Sequence, residues 1–399
     1  MTAADPVVEI GPVAHGGHCV ARLDGQVVFV RHALPGEVVR IRITERAKRF
    51  LRADTVEVIE PSPHRVRPPC PLAGVCGGCD FQHVSAEGQL DLLTDVVREQ
   101  VERLAGIAWN GHVEPVGDLL GWRTRVVWSV AENGMLGLRR HRSHEVVPVE
   151  RCLIAHPDHP DLSRQLWDAP RVESIVSSTG QRLLVTDATI EDEVERTVDG
   201  VVAGDGTVRA GTDAGVETVH GREFTVTGSG FWQVHPRAAE TLVDAVMDGA
   251  EVRPGDRVLD LYAGAGLFSA FLAERCAPGE LVSVEGDRGG AADARRNLAD
   301  LANVVTRRAP VERALARGEL GSRADVVVLD PPRVGAKRAV GAIAALRPRR
   351  IVYVACDPAA LARDLAGFAE HGYGLASLRA FALFPMTHHV ECVAVLAKA

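Results

Sequence analysis

The chain has 399 residues, 46% of them hydrophobic, enough for about two or three domains with real cores. No apolar run reaches membrane-spanning length, and the opening MTAADPVVEIGP lacks a basic stretch followed by an apolar core, so a cytosolic protein without membrane contact is expected. A formal net charge of −8 argues against bulk affinity for nucleic acid and turns attention to local basic clusters. In a reducing compartment the eight cysteines are metal ligands, nucleophiles or core residues rather than disulfides.

Residues 6–60 read as short strands broken by Gly, Asp and Pro: Val7–Ile10, His18–Leu23, Gln26–Val30, Val38–Thr44 and Thr55–Glu60. Asp24-Gly25 carries a hairpin signal, and five short strands in so few residues predict a small OB-like barrel. Arg40, Arg42, Arg46, Lys48, Arg49 and Arg52 make a local basic surface, which a solvated hairpin would also explain. The stretch GGHCVARLDGQVVFVRHALPGEVVRIRI resembles the TRAM domain, and the resemblance implies RNA binding. Cys19, inside this barrel, reads as packing.

Pro61-Ser62-Pro63 marks a linker. Beyond it Cys70, Cys76 and Cys79 are spaced C-x5-C-x2-C in a Pro/Gly-rich loop, which can wrap a small inorganic centre. A fourth thiolate is available at Cys152, and on spacing alone both an iron–sulfur cluster and a structural zinc suit the set. Ser85–Leu104 has helical apolar spacing, and 121–130 alternates as a strand. A second basic patch, 138–144, is equally a solvated hairpin, and 197–218 reads as a long hairpin or variable loop.

At Gly228–Pro236 the composition shifts, giving three units: a barrel over 1–60, a β-rich central unit over 61–229 and an α/β unit over 230–399. The last is organised around Arg257–Ser269, RVLDLYAGAGLFS: a strand, the turn Gly264-Ala265-Gly266, then a helix near Leu267–Cys276. Such a turn sets backbone N–H groups and a helix N-terminus beside a ligand. Ser269 stands where a dinucleotide fingerprint wants its third glycine, which disfavours a nicotinamide oxidoreductase. Glu285 ends the next strand, about where an acidic side chain reaches a ribose. Further strands (304–307, 325–329, 351–354) alternate with helices (289–301, 337–346, 359–370) and predict a doubly wound, mostly parallel sheet. The segments 374–383 and 390–397 are expected to close it as an antiparallel hairpin.

Ligands gather at the carboxyl ends of such strands, here Asp260, Glu285, Asp330 and Cys356. Asp330 opens Asp-Pro-Pro-Arg. Arg333 stands where methyltransferases of exocyclic amines carry an aromatic residue, which disfavours that class. Cys356 precedes Asp357, a helix N-cap, and Pro358, the first helical position, so its thiol should gain thiolate character by roughly 0.3–1 kcal/mol.

Taken with FWQV, DLYAGAG, VEG, DPPR, VACDPAALARDL and FPMTHHVE, the chain resembles the RNA uracil-C5 methyltransferase family, in particular its TRAM-bearing ribosomal-RNA branch. The resemblance implies a class I, Rossmann-like methyltransferase domain using S-adenosylmethionine, and a 4Fe-4S cluster on Cys70, Cys76, Cys79 and Cys152. It further implies cofactor contacts from Gln233, Tyr262, Gly264, Gly266, Glu285 and Asp330, a nucleophile at Cys356 and a base at Glu391. The substrate would be a uridine in single-stranded or loop RNA, most closely 23S ribosomal RNA, with transfer RNA as the alternative, handled by a monomer. A non-catalytic RNA-binding or assembly protein is the contrasting reading, which an intact Cys356 and Glu391 oppose. Asp357, Leu267 and His235 replace residues that are usually Asn in the family.

Overall fold

A computed structural model describes residues 5–398. The N-terminal unit is a six-stranded sheet. Its strands run in the order Val7–Glu9, Val38–Arg46, Phe50–Glu60, Gln26–Arg31, His18–Leu23 and Val13–Ala14. Val20 O accepts from Gly11 N at 2.8 Å and Val20 N donates to Pro12 O at 2.9 Å, so the chain leaving the first strand reaches the far side and the sheet curls. The Val13–Ala14 strand, too short to read from the sequence, pairs with His18-Cys19 and leaves His15-Gly16-Gly17 as a protruding turn. Glu37, fully buried, anchors the linker by accepting from Ser62 N at 3.1 Å and from the Arg65 guanidinium.

A seven-stranded sheet follows, ordered Val146–Pro148, Leu136–Arg139, Arg125–Val130, Arg171–Val176, Arg182–Val185, Gly200–Val202 and Val208–Gly211. The cysteine loop docks on its first hairpin, where Gly77 N donates to Arg139 O at 3.0 Å. A Cβ at Gly77 would stand 2.7 Å from that carbonyl oxygen, so only glycine allows the approach. The stretch 197–218 is divided: its first two strands close this sheet, and Ala214–Val219 pairs with Arg222–Thr227 in a separate hairpin.

The third sheet has the order Val304–Arg308, Leu281–Glu285, Val258–Leu261, Val326–Leu329, Arg350–Ala355, Glu391–Lys398, Tyr373–Ala382 and Val113–Pro115. Its first five strands are parallel, and Glu391–Lys398 then runs antiparallel to both neighbours. The strand order reverses direction between Val258–Leu261 and Val326–Leu329, which opens a crevice at their carboxyl ends. All four residues of each of those two strands are fully buried, as the continuous apolar runs of a two-sided parallel sheet require. Burying a leucine such as Leu259 contributes about 1.5–3 kcal/mol.

Two elements assigned by sequence to the 61–229 unit pack elsewhere. Val113–Pro115 extends the third sheet, and the helix Ala86–Ala105, capped by Ser85, lies along the helix Pro358–Glu370. Their apolar residues, with those of the curled sheet, form one continuous core with a face of the third sheet. Sequence periodicity reports which face of a helix is buried, not which sheet buries it. The hairpin Ala214–Thr227 likewise sits on the helix Arg288–Asn297, through Thr225 N donating to Asn297 Oδ1 (2.9 Å) and Thr227 N to Asp293 Oδ2 (3.0 Å). The helices Ala238–Ala250 and Val311–Ala316 were not anticipated. Among the described residues no helix is long and apolar enough to cross a membrane.

Candidate active site

The strand Val258–Leu261 ends in Tyr262, whose φ of 63° turns the chain sharply into the glycine turn. Gly264 N donates to Glu285 Oε2 at 2.8 Å, and Asp287 N to Glu285 Oε1 at 2.6 Å. Both oxygens of Glu285 therefore brace backbone, leaving their remaining lone pairs for a ligand. Gly266 adopts φ 90° at the start of the helix Leu267–Cys276, and Leu267 is buried in the core rather than offering a polar contact. The Tyr262 hydroxyl donates to Glu312 Oε1 at 2.9 Å.

Beneath the turn lies Asp260, wholly buried. Ser269 Oγ donates to its Oδ2 at 2.5 Å, while Oδ1 has no partner. Burial, only partly offset by that hydrogen bond, pushes its carboxyl up to about 7. Ser269 thus has a definite task in the site. Asp330 begins the next strand's exit, its N–H donating to Leu261 O at 3.2 Å. Burial, then the nearby Asp260 and Glu285, push its carboxyl up to about 7 as well. Three carboxyls gathered at these strand ends, two of them costly to ionise, suit a neighbouring ligand that carries positive charge. Gln233 is half-buried in the crossing segment held where Val234 O accepts from Thr124 N at 2.8 Å.

The antiparallel pairing that sets Ala355 opposite Cys392 makes Cys356 the neighbour of Glu391 across the strands. Cys356 is half-buried and Glu391 is buried. The helix Pro358–Glu370 begins as expected, with Asp357 accepting from Ala360 N at 2.7 Å and Pro358 in the first turn. Other influences act against the expected contribution of the helix N-terminus. Burial, then Glu391 and Asp330, push the Cys356 thiol up to about 11, and only Arg333 works in the other direction at comparable range. Glu391 is itself held well above the carboxylate range by burial and by Asp330, with Arg333 opposing. Burial and the acids around it thus work against the thiolate at this helix start.

Glu391 is delivered by the loop Phe384–Val390, which is gripped from outside its own unit. Met386 O accepts from Asp80 N (2.8 Å) and Phe81 N (2.9 Å), and Met386 N donates to Gln89 Oε1 at 2.9 Å. His388 pairs through Nδ1 with Asp80 Oδ2 at 2.6 Å, which makes it the structural member of the two histidines. The His389 ring lies against it, tilted by 43° with centroids 4.2 Å apart, and burial followed by the charges of His388 and Arg333 lowers it to about 3.

Asp80 directly follows Cys79. The four thiols of Cys70, Cys76, Cys79 and Cys152 line one small cavity with Leu72, Leu138, Val149 and Ile154, and none is in a disulfide. Gly78 N donates to Cys76 Sγ at 3.4 Å and Gln82 Nε2 to Cys79 Sγ at 3.3 Å. Among the described residues no three His, Cys, Asp or Glu side chains converge tightly enough to grip a single ion. The set leaves its thiols around a shared space, with N–H donors aimed at sulfur.

On the curled sheet, Arg40 pairs with Glu57, Arg42 with Asp5 and Arg52 with Glu45, while Arg46, Lys48 and Arg49 form the exposed tip. Arg52 also lies over the Phe29 and Phe50 rings, 5.7 and 5.0 Å from their centroids. A cavity of about 740 Å³ lies in the central unit beside Cys152 and away from these strand ends.

Comparison with known proteins matches residues 7–56 to the TRAM domain and residues 216–399 to the tRNA (Uracil-5-)-methyltransferase family. An RNA methyltransferase of Streptomyces avermitilis is 46% identical, covering 98% of each chain. The 23S rRNA (uracil(1939)-C(5))-methyltransferase RlmD of Alkalilimnicola ehrlichii is 33% identical over 98% of this chain and 96% of its own. In fold, the chain is similar to the Pyrococcus abyssi tRNA (uracil-54, C5)-methyltransferase solved with S-adenosyl-L-homocysteine, with a TM-score of 0.76, 22% identity and coverage of 98% and 99%.

The raised Asp260 carboxyl gives a pH dependence of definite sign. Unfolded, it ionises near the ordinary value of about 3.9; folded, near 7. Its burial therefore costs nothing in acid, and the penalty grows as pH rises from about 4 to about 7. Asp260→Asn should accordingly gain stability over the parent at about pH 8 relative to about pH 5, measured by urea unfolding at both. A difference that is flat or shrinks towards pH 8 would contradict the assignment.

Proposed function

The chain belongs to the family of S-adenosylmethionine-dependent RNA (uracil-C5-)-methyltransferases, and on that premise we propose that its substrate is a uridine of 23S ribosomal RNA and that Cys356 and Glu391 carry the chemistry. The observation that supports this most is that the register setting Ala355 opposite Cys392 brings the Cys356 thiol beside the buried Glu391 carboxyl at the carboxyl ends of the parallel strands. Ribosomal rather than transfer RNA is favoured by the full-length relative named for 23S rRNA.

Uracil C5 is too poor a nucleophile to be methylated directly. The Cys356 thiolate adds to C6, forming the S–C6 bond and placing the electron pair as an enolate with C5 nucleophilic. S-adenosylmethionine would supply an electrophilic methyl group: as the C5–methyl bond forms, the methyl–sulfur bond breaks and its electron pair leaves on sulfur as S-adenosylhomocysteine. Glu391 then removes the C5 proton, the C5–C6 double bond re-forms, and the sulfur departs from C6. Burial beside Asp330 gives Glu391 the basicity that this abstraction needs. Asp330, Glu285, Gln233, Tyr262 and the Gly264–Gly266 turn are the proposed cofactor contacts. Their clustered negative charge complements the cofactor's sulfonium and ammonium groups. Both faces of the base must be reached, so the uridine is unstacked from single-stranded or loop RNA. Barrel, cysteine loop and catalytic strands all come from one chain, so a monomer working on cytoplasmic RNA suffices.

We further propose that Cys70, Cys76, Cys79 and Cys152 hold a 4Fe-4S cluster. Four thiols around a shared space, with N–H groups aimed at sulfur, suit a cluster. It would neutralise thiolates whose burial otherwise disfavours them and would anchor Asp80 and Phe81 against the loop that carries Glu391. Protein purified without oxygen should contain about four iron and four sulfide per chain. Stoichiometric zinc without iron would overturn the assignment.

The nucleophile and base separate experimentally. Cys356→Ala should abolish turnover and any covalent protein–RNA species. Glu391→Gln should accumulate a methylated, covalent protein–RNA complex that survives denaturing electrophoresis, and the double variant should show none. Normal turnover by Glu391→Gln, or an adduct that persists without Cys356, would overturn the pair.

A further inference from the structure

The turn His15-Gly16-Gly17 of the curled N-terminal sheet reaches the nucleophile. His15 Nε2 lies 3.3 Å from Asp357 Oδ2, and Asp357 immediately follows Cys356. The two oxygens of Asp357 are divided: Oδ1 accepts from Ala360 N at 2.7 Å and caps the helix, while Oδ2 faces His15. The approach is built rather than incidental. A Cβ on Gly17, at φ 76°, would stand 2.8 Å from the Cβ of His388 and 3.2 Å from that of Asp80, so the turn is seated against the loop leading to Glu391. The adjoining strand Val13–Ala14 rests on the helix Ala86–Ala105, which lies along the helix that Asp357 caps.

We propose that His15 is a positioning residue for Cys356, donating its Nε2–H to the free oxygen of Asp357 and so restraining and shielding a carboxylate that would otherwise oppose the neighbouring thiolate. The charged and titratable groups facing Cys356 are Glu391 from the antiparallel strand, Asp330 and Arg333 from the Asp-Pro-Pro-Arg turn, and Asp357 from its own segment. Arg333 alone among them favours the thiolate. Asp357 is the one acid of the three that has a polar partner contributed by another unit. A carboxylate whose charge is partly satisfied by a hydrogen bond, and whose oxygen is drawn towards the donor, exerts a weaker field on the sulfur beside it. The N-terminal RNA-binding unit would thereby act on the reacting thiol as well as on RNA.

The inference rests on the reading of Cys356 as nucleophile, and the test keeps the two apart. The rate of Cys356 alkylation by iodoacetamide at about pH 8 reports its thiolate fraction without requiring turnover, and mass analysis of its peptide isolates it from the other seven cysteines. His15→Ala should slow alkylation about two- to threefold, because the unrestrained Asp357 charge disfavours the thiolate. Asp357→Asn, which keeps the capping oxygen, should speed it, and His15→Ala should then have no further effect in that background. Unchanged or faster alkylation in His15→Ala, the latter being the sign of mere loosening, would overturn the proposal. So would an Asp357→Asn rate no faster than the parent's, or equal slowing by His15→Ala in both backgrounds. Methylation that survives complete Cys356 alkylation would sink the nucleophile reading alone, whatever His15 does.

Discussion

The proposed reaction centre depends on one short loop, Phe384–Val390, being held from outside its own domain. Met386 adopts φ 67°, a conformation that costs a non-glycine residue about 1 kcal/mol or more. It is kept there by Gln89 at its N–H and by Asp80 and Phe81 at its carbonyl, with the Asp80–His388 pair adding a second grip. Strand register then does the rest. Once Glu391 enters its strand opposite Arg350–Ala355, its placement beside Cys356 follows without any direct bond between them. The cysteine loop, the helix Ala86–Ala105 and the N-terminal turn are thus the mould in which the catalytic loop is set, and a continuous hydrophobic core joins most of it to the catalytic sheet.

The second constraint is electrostatic. Asp260, Asp330 and Glu391 are crowded at strand ends where burial disfavours their charged forms, and Asp330 lies within reach of the other two. Such an arrangement is unfavourable for the protein alone and favourable for a cationic cofactor and for proton abstraction. Arg333 is the counter-charge. It lowers the cost of both Cys356 and Glu391 and touches His389 Nε2 at 3.4 Å. An aromatic side chain in its place would stack a base but would leave those acids unopposed.

The catalytic unit was legible in the sequence because its signals are local. Val258–Leu261 and Leu267–Cys276 have the bounds that the apolar run and the glycine turn suggest, and Asp357 caps its helix as residue type and Pro358 dictate. What escaped were facts carried by long-range contact. The membership of Val113–Pro115 in the catalytic sheet, the grip of Asp80 and Gln89 on Met386, and the His15–Asp357 contact join residues far apart in the chain, and no spacing encodes them. The surroundings of the Cys356 thiol were hidden for the same reason. The helix start is visible in sequence, whereas the burial and the acids brought in by two other strands are not. In the N-terminal sheet the arginines were visible but not their ion pairs, which leave Arg46, Lys48 and Arg49 without a salt bridge among the described residues.

The account's central claim is that this chain methylates C5 of a uridine in 23S ribosomal RNA. Its most direct test is the mapping of 5-methyluridine, position by position, in ribosomal and transfer RNA from cells with and without the gene. The account predicts that at least one 5-methyluridine of 23S rRNA disappears with the gene and returns with the wild-type chain, while transfer RNA is unaltered. An unchanged 23S pattern, with or without a loss in transfer RNA, would contradict it.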